Sequence, residues 1–308
     1  MAAAFEGRLI PENPFRVVWT RGDGCADLAD LLGGGSPTRV QGDLRTECIK
    51  TRADLLVARR LPSGFDFVNV AVPSGFDPTH VGSVSAAVSS GPHSALAAQI
   101  ALHLGHALGV DPEMVSAYPT SDDLPAALRI VKTLAGKIPG LPYRVVETAD
   151  ARELIEALPA DALLVLGAPG GWWLQRAFFG TGVRLRQRAP AGAIVVQQAR
   201  TRVYHHMLEP SYVSRHLLVG DALRLMEHSV AAVVDEGELV GVVAREVLEG
   251  ADRGVSVGDL MDDPVFLEVG DGYEEASRLA GLFRGAPIPV VDSDGRLVGC
   301  VIAPNSQY

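Results

Sequence analysis

The chain has 308 residues, of which 47% are hydrophobic and 21% are charged, and its formal net charge is −10. This length favours two domains, and the apolar content is sufficient for a sizeable core. Because a duplex-binding surface needs clustered lysines and arginines, an acidic chain with scattered basic residues predicts no nucleic-acid partner.

The sequence carries no pattern typical of a membrane span or a secretion signal. No apolar stretch reaches the roughly 20 residues that cross a bilayer, and residues 1–15 lack the apolar segment of a signal peptide. The three cysteines, Cys25, Cys48 and Cys300, are far apart and odd in number, which indicates reduced thiols. We therefore expect a cytoplasmic protein with no membrane span.

Residues 1–80 show the weakest pattern of strands and helices in the chain. FRVVW and FDFVNVAV are typical of strands, CADLADLL is typical of a helix, and residues 73–83 have the composition of a loop. We expect an N-terminal extension of unclear fold that packs on the next domain, either by adding strands to its sheet or by covering one face.

Residues 81–200 alternate between strand and helix patterns. The strand-like segments are VSAAV, MVSAY, YRVVET, DALLVLG and AIVVQQ, and the helical ones are HSALAAQIALHLGHALG, PAALRIVKTLAGKI, ARELIEAL and VRLRQRA. Near-continuous apolar strands separated by helices predict an α/β fold with a parallel five-stranded sheet that has helices on both faces.

The fourth of these strands is followed by a glycine-rich stretch, GAPGGWWLQRAFFGTG, at residues 167–182. Glycines remove the Cβ atoms that would keep a phosphate away, and a turn at the carboxyl end of such a strand faces a ligand crevice. Gly167 and Gly170 are followed, after nine residues, by Gly180 and Thr181. With this spacing at this place, residues 81–200 resemble the universal stress protein family. An ordinary strand-to-helix turn is the alternative for the same glycines.

The resemblance implies a domain that binds ATP or another adenine nucleotide, with Mg only if the nucleotide carries it. The binding residues that it implies are Val88, Ser89, Ser90, Gly167, Gly170, Gly171, Gly180, Thr181 and Gly182. Ser89 stands where ATP-binding members usually carry Asp, so a charge-assisted contact to the ribose is lost. Trp172 and Trp173 are also unusual for the family, and we expect them to pack against protein, with stacking on a base as the alternative.

Residues 201–308 contain an internal repeat. AVVDEGELVGVVA at residues 232–244 and PVVDSDGRLVGCVIA at residues 289–303 are both typical of hairpins, and each follows a helix-like segment. Together with DALRLM in the first copy and DLMDDPV ahead of the second, this pattern resembles a tandem pair of CBS domains, at about 205–252 and 253–308. The resemblance implies an α+β fold and homodimer formation through exposed helical faces.

Many CBS pairs bind adenosine compounds through the motif G-h-x-T/S-x-x-D, in which the hydroxyl meets phosphate and the Asp binds the ribose. The ligand-cleft positions that the resemblance implies here are Gly241, Ala244, Arg245 and Asn305. Ala244 lacks the hydroxyl, and Asn305 replaces the Asp. We therefore expect weak adenosine binding by this pair or none, with Arg245 either at a phosphate or in solvent.

Other candidate chemistry is incomplete. His103 and His106 are three residues apart on one predicted helix, but no third ligand accompanies them, so no metal site is predicted. His93 and Ser94 are adjacent without an Asp to complete a nucleophilic arrangement, and the chain lacks the P-loop lysine motif. We expect no catalytic residues.

These predictions combine into a cytoplasmic, non-catalytic sensor or regulatory protein. It would bind an adenine nucleotide, with ATP the first choice, at the α/β domain, residues 81–200. The CBS pair, residues 201–308, would serve as a dimerisation or regulatory module. Two alternatives are a scaffold whose nucleotide sites are both degenerate and a slow ATPase. The sequence does not identify a regulated protein partner.

Overall fold

The computed structural model describes residues 14–63, 65–168, 189 and 191–303. The chain divides into two compact units, Met1–Arg200 and Thr201–Tyr308.

In the described part of the first unit, nine strands form one sheet in the order β2-β1-β3-β4-β9-β8-β5-β6-β7. The strands are β1 (Val17–Trp19), β2 (Thr38–Arg39), β3 (Leu55–Val57), β4 (Asn69–Ser74), β5 (Ser83–Ala87), β6 (Asp111–Tyr118), β7 (Tyr143–Glu147), β8 (Ala162–Gly167) and β9 (Ala193–Gln197). All neighbouring strands are parallel except β4 and β9, which are antiparallel.

The sheet is therefore larger than the five strands predicted from residues 81–200. The strands β7-β6-β5-β8-β9 form a contiguous parallel group, and β1–β4 extend the same sheet beyond it. At the junction, Gly192 precedes β9 with φ +90, and a side chain there would collide with the Gly75 carbonyl. Glycine at this position allows the antiparallel pairing that joins the two groups of strands.

The described helices of this unit are α1 (Cys25–Gly33), α2 (Leu44–Thr51), α3 (Ser94–Leu108), α4 (Leu124–Lys137) and α5 (Ala151–Glu156). Leu28 of α1, Ile100 of α3 and Leu134 of α4 belong to one buried cluster, so these three helices cover the same face. Leu154 of α5 is buried outside this cluster. The connection from β7 to β8 contains α5 and crosses the sheet in the opposite direction from the connections before it. Because such connections are right-handed, α5 covers the other face of the sheet.

The second unit contains two three-stranded sheets of the same design. The first contains β10 (Tyr212–Ser214), β11 (Val230–Asp235) and β12 (Glu238–Ala244), with α6 (Val219–Leu225) and α7 (Arg245–Glu249). The second contains β13 (Leu267–Glu268), β14 (Ile288–Val291) and β15 (Leu297–Val301), with α8 (Glu274–Phe283). In each sheet one pair of strands is parallel and the other is an antiparallel hairpin with an irregular register.

The two copies exchange backbone pairs. Leu208, which precedes β10 of the first copy, pairs with Cys300 of the second, and Asp262, which precedes β13 of the second copy, pairs with Val242 of the first. The hairpin turns also meet reciprocally, since Leu239 N–H donates to Gly295 O at 3.1 Å and Leu297 N–H donates to Gly237 O at 3.0 Å. The sequence repeat is therefore a structural repeat whose copies pair directly with each other.

Candidate functional site

The strand order of the first unit reverses at β5. The chain runs outward from β5 through β6 to β7 and then returns to place β8 on the other side of β5. Ligands of open α/β sheets bind outside the carboxyl ends of the strands at such a reversal. Ala87 of β5 pairs with Leu166 of β8 at this end, so the carboxyl ends of the two strands lie side by side.

The loop after β5 is held by its own serines. Ser89 N–H donates to Ser94 Oγ at 2.9 Å, and Gly91 N–H donates to Ser89 Oγ at 3.2 Å. Ser89 is 5% exposed, while Ser90 is half-buried and Val88 is buried. Ser89, which stands in place of the expected Asp, therefore shapes the loop. Its hydroxyl group can still donate a hydrogen bond to a ligand.

Helix α3 begins at this loop with His93 as its N-cap residue and no side-chain cap. The first N–H groups of a helix lack partners within it, and together with the helix dipole they favour an anion. Helix α3 ends at Gly109, which has φ 69 and donates its N–H to the carbonyls of Gly105 and His106.

The His93 ring connects α3 to the end of β9. Its Nδ1 accepts the Gln198 N–H at 3.0 Å, which leaves the proton of the neutral ring on Nε2. Burial lowers the pKa of His93, so the neutral form is the one present near pH 7. With Nδ1 occupied and Nε2 protonated, His93 can donate a hydrogen bond but is not poised as a general base. Ser94 is likewise engaged by Ser89, so the two residues do not form a nucleophilic pair.

Gln198 is a polar residue at this edge that the sequence analysis did not single out. It follows β9 directly and is 8% exposed, and within the described part of the chain its buried Oε1 has no hydrogen-bond partner. A buried amide oxygen without a partner is costly, so it marks a place where a donor fits. The available signal was a polar side chain directly after a buried parallel strand.

The glycine stretch lies only partly within the described residues. Gly167 ends β8 and pairs with Val196, and Ala168 N–H donates to Val196 O at 2.6 Å. Outside the described residues lie the predicted binding residues Gly170, Gly171, Gly180, Thr181 and Gly182, and also Trp172 and Trp173.

Two of the four predicted cleft residues of the second unit, Gly241 and Arg245, contact other residues of that unit. Gly241 lies against the backbone of Asp262, because a Cβ on Gly241 would stand 2.6 Å from Asp262 O. Arg245 donates from its guanidinium to Met226 O and lies 3.9 Å from Glu249. Ala244 is the N-cap residue of α7 without a side-chain cap, and Asn305 lies outside the described residues. Arg245 is therefore held by contacts within its own domain rather than free in solvent.

Comparison with protein families places one known domain in this unit. The model of the CBS domain family matches residues 203–248. A CBS domain is therefore present at these residues. The match covers the first of the two copies described above, including β10, α6, β11 and β12.

Solved CBS pairs are similar to about one third of the chain. A CBS domain pair/ACT domain protein from Thermotoga maritima is 26% identical over 33% of this chain and 89% of its own, with a TM-score of 0.31. The CBS-pair protein CBSX2 from Arabidopsis thaliana is 28% identical over the same shares, with a TM-score of 0.31. A structure of CBSX2 in complex with AMP is 30% identical over 33% of this chain and 90% of its own, with a TM-score of 0.30. The search of curated protein sequences found no match.

Within the described residues, no helix has the length and apolar character needed to cross a membrane. The same residues contain no group of three or more His, Cys, Asp or Glu side chains that could hold a metal ion.

Proposed function

We propose that the first unit binds an adenine nucleotide, ATP in the first place, where β5 and β8 end, and that the protein is a non-catalytic sensor or regulator. The observation that carries the proposal is the reversal of strand order at β5, with the uncapped start of α3 after β5 and Gly167 at the end of the neighbouring β8. The contiguous parallel group β7-β6-β5-β8-β9 supports the likeness to universal stress proteins.

In this proposal the phosphates lie along Gly170, Gly180 and Thr181, as the resemblance implies. Ser89, His93 Nε2 and Gln198 then supply neutral hydrogen-bonding groups at the edge of the site. Because neutral donors and acceptors bind more weakly than an Asp carboxylate does, we expect modest affinity for the ribose.

A regulatory role is favoured over ATP hydrolysis by His93. It is the titratable side chain in the described loop between β5 and α3, and its free nitrogen carries a proton. The CBS domain found at residues 203–248 supports a regulatory or dimerising second unit. A cytoplasmic location and a homodimer are part of the same proposal.

Calorimetry with the full chain tests nucleotide binding. We expect heat on addition of ATP, and a loss of at least tenfold in affinity for Gly170→Val, because Val adds a side chain at the predicted phosphate cradle. The matched control is Gly136→Val, since Gly136 lies on α4 with open space around its Cα and should leave binding unchanged.

The outcomes separate the three candidate functions. If millimolar ATP, ADP, AMP and S-adenosylmethionine all give no heat, the sensor proposal fails and a scaffold remains. If ATP binds Gly170→Val as tightly as the wild type, the site is elsewhere. Phosphate release that follows ATP binding would establish an ATPase instead.

A further inference from the structure

The nine-stranded sheet contains a second reversal of strand order. The chain passes from β1 through α1 to β2 and then through α2 to β3, which lies on the other side of β1. This repeats the relation of β5 to β6 and β8. Because β4 and β9 are antiparallel, the carboxyl ends of β1 and β3 lie at the opposite edge of the sheet from those of β5 and β8. The general rule for ligand crevices therefore applies twice to this sheet.

The second edge carries a concentration of positive charge. Four exposed arginines lie there, at the ends of β1, β2 and β3 or within three residues after them; they are Arg21, Arg39, Arg59 and Arg60. We call this group the arginine edge. None of the four forms an ion pair with another described residue, whereas Arg16, Arg144 and Arg215 each bind a carboxylate. Such a group is unexpected on a chain with a net charge of −10.

Backbone contacts bring these arginines together. Thr20 N–H donates to Val57 O at 3.0 Å, and Val40 N–H donates to Trp19 O at 3.0 Å, so the ends of β1, β2 and β3 are adjacent. Gly22 lies directly against Arg59, since a Cβ on Gly22 would stand 3.1 Å from Arg59 Cβ. The loop after β1 therefore places Arg21 beside the end of β3.

The arginine edge also offers an aromatic surface and a helix start. The Arg39 guanidinium carbon lies 5.6 Å from the Trp19 ring centroid, and Trp19 is half-buried. Helix α1 begins beside Arg21 without a side-chain cap, at Gly24, which has φ 69. Asp23, an exposed carboxylate in the same loop, partly offsets the positive charge.

We propose that the arginine edge is a second binding site, which takes a small phosphate-bearing molecule. Guanidinium groups bind phosphate oxygens through paired N–H donors, and converging strand ends hold several of them at one place. Helix α1 adds backbone N–H groups and the positive end of its dipole. The site is separate from the one at β5 and β8, and its occupancy does not depend on the glycine stretch.

Inorganic pyrophosphate is the probe that tests this site. Calorimetry at about 50 mM salt should detect its binding to the full chain, because low ionic strength preserves interactions between exposed charges. The double variant Arg21→Gln/Arg59→Gln should weaken this binding at least tenfold. The matched control Arg129→Gln/Lys132→Gln removes two exposed positive charges from α4 and should change the affinity by less than about twofold.

Hydrogen exchange of the full chain locates the bound probe. Pyrophosphate should slow exchange in peptides that cover residues 19–28 and 57–62, and the Arg21→Gln/Arg59→Gln variant should lose this protection while it keeps its melting temperature. Protection confined to residues 88–98 would place the anion at the β5 site and overturn the proposal. Equal loss of binding in the α4 control, or binding of a DNA duplex without binding of pyrophosphate, would also overturn it.

Discussion

At the scale of single residues, His103 is a buried histidine that titrates far from its ordinary range. It is 7% exposed on α3, and its ring stacks on Phe15 with centroids 4.3 Å apart. Burial, with a smaller contribution from the His106 charge, lowers the pKa of His103 from 6.5 to about 4. The ring is therefore neutral in the folded protein over the range in which the unfolded chain takes up a proton.

This histidine predicts a loss of stability in mild acid. Because the folded pKa lies below the unfolded one, the unfolded state binds more protons between pH 6.5 and about 4. The free energy of unfolding should stay level above pH 6.5 and fall by roughly 2–3 kcal/mol as the pH decreases to 4.5. His103→Phe keeps an aromatic ring against Phe15 and should remove most of this decrease.

Urea unfolding of the first unit at a series of pH values measures the effect. His106→Gln, which changes an exposed histidine on the same helix, is the control and should keep most of the decrease. If His103→Phe loses stability toward acid as steeply as the wild type, other groups are responsible.

Residues at the candidate site could be predicted from the sequence when they lie at the end of a strand or just beyond it. Ser89 and Gly167 are of this kind, because the alternation of strands and helices fixes which loops share the carboxyl edge. The contact of His93 with Gln198 joins residues 105 positions apart in the sequence, and nothing local indicates it. The same limit applies to Arg245, whose partner Met226 depends on how the CBS repeat folds back on itself.

At the scale of elements, one ion pair links three strands of the first unit. Glu113 of β6 accepts from Arg144 Nε of β7 at 2.9 Å and from Ser85 Oγ of β5 at 3.0 Å. Arg144 also donates to Ala157 O at 3.1 Å. Glu113, Arg144 and Ala157 line a cleft of about 880 Å³ at the amino ends of the strands, away from the proposed nucleotide site.

This linkage predicts a measurable cost for removing Glu113. Glu113→Ala leaves the fully buried Ser85 hydroxyl without its acceptor and Arg144 without its carboxylate, so we expect the free energy of unfolding to decrease by about 1–3 kcal/mol. Glu156→Ala breaks the exposed pair with Arg152 and should cost less than about 0.5 kcal/mol. Equal effects in urea unfolding would show that the three-strand linkage adds no stability.

The long elements of the first unit follow hydrophobic periodicity, and the short ones do not. Strand β8 is buried along its whole length and reads as a continuous apolar run. Strand β2 consists of two exposed residues and β3 of three buried ones, and both are too short for a period to be recognised. The antiparallel pairing of β4 with β9 depends on residues more than 100 positions apart, so the fusion of two groups of strands into one sheet could not be read from the sequence.

At the scale of the whole molecule, the second unit presents apolar side chains on its helices. Leu225 of α6 is 60% exposed and Leu282 of α8 is 59% exposed. These two leucines would be buried if the helices formed a contact between copies of the chain. The resemblance to CBS pairs implies association through exposed helical faces, so we propose these helices as the contact between two copies of the chain.

If two copies of the chain associate through these helices, charged side chains at the contact should disrupt the homodimer. Leu225→Glu/Leu282→Glu places carboxylates in the contact, where burial without a partner is costly, and should weaken dimerisation at least tenfold in sedimentation equilibrium. The control Tyr212→Glu/Phe266→Glu makes the same kind of change at exposed apolar residues outside the helices. It should leave the dimer intact. Two results would contradict a helical interface: a wild-type chain that sediments as a monomer, or a control variant that dissociates as readily as the helix variant. In either case regulation would remain as the proposed role of the CBS pair.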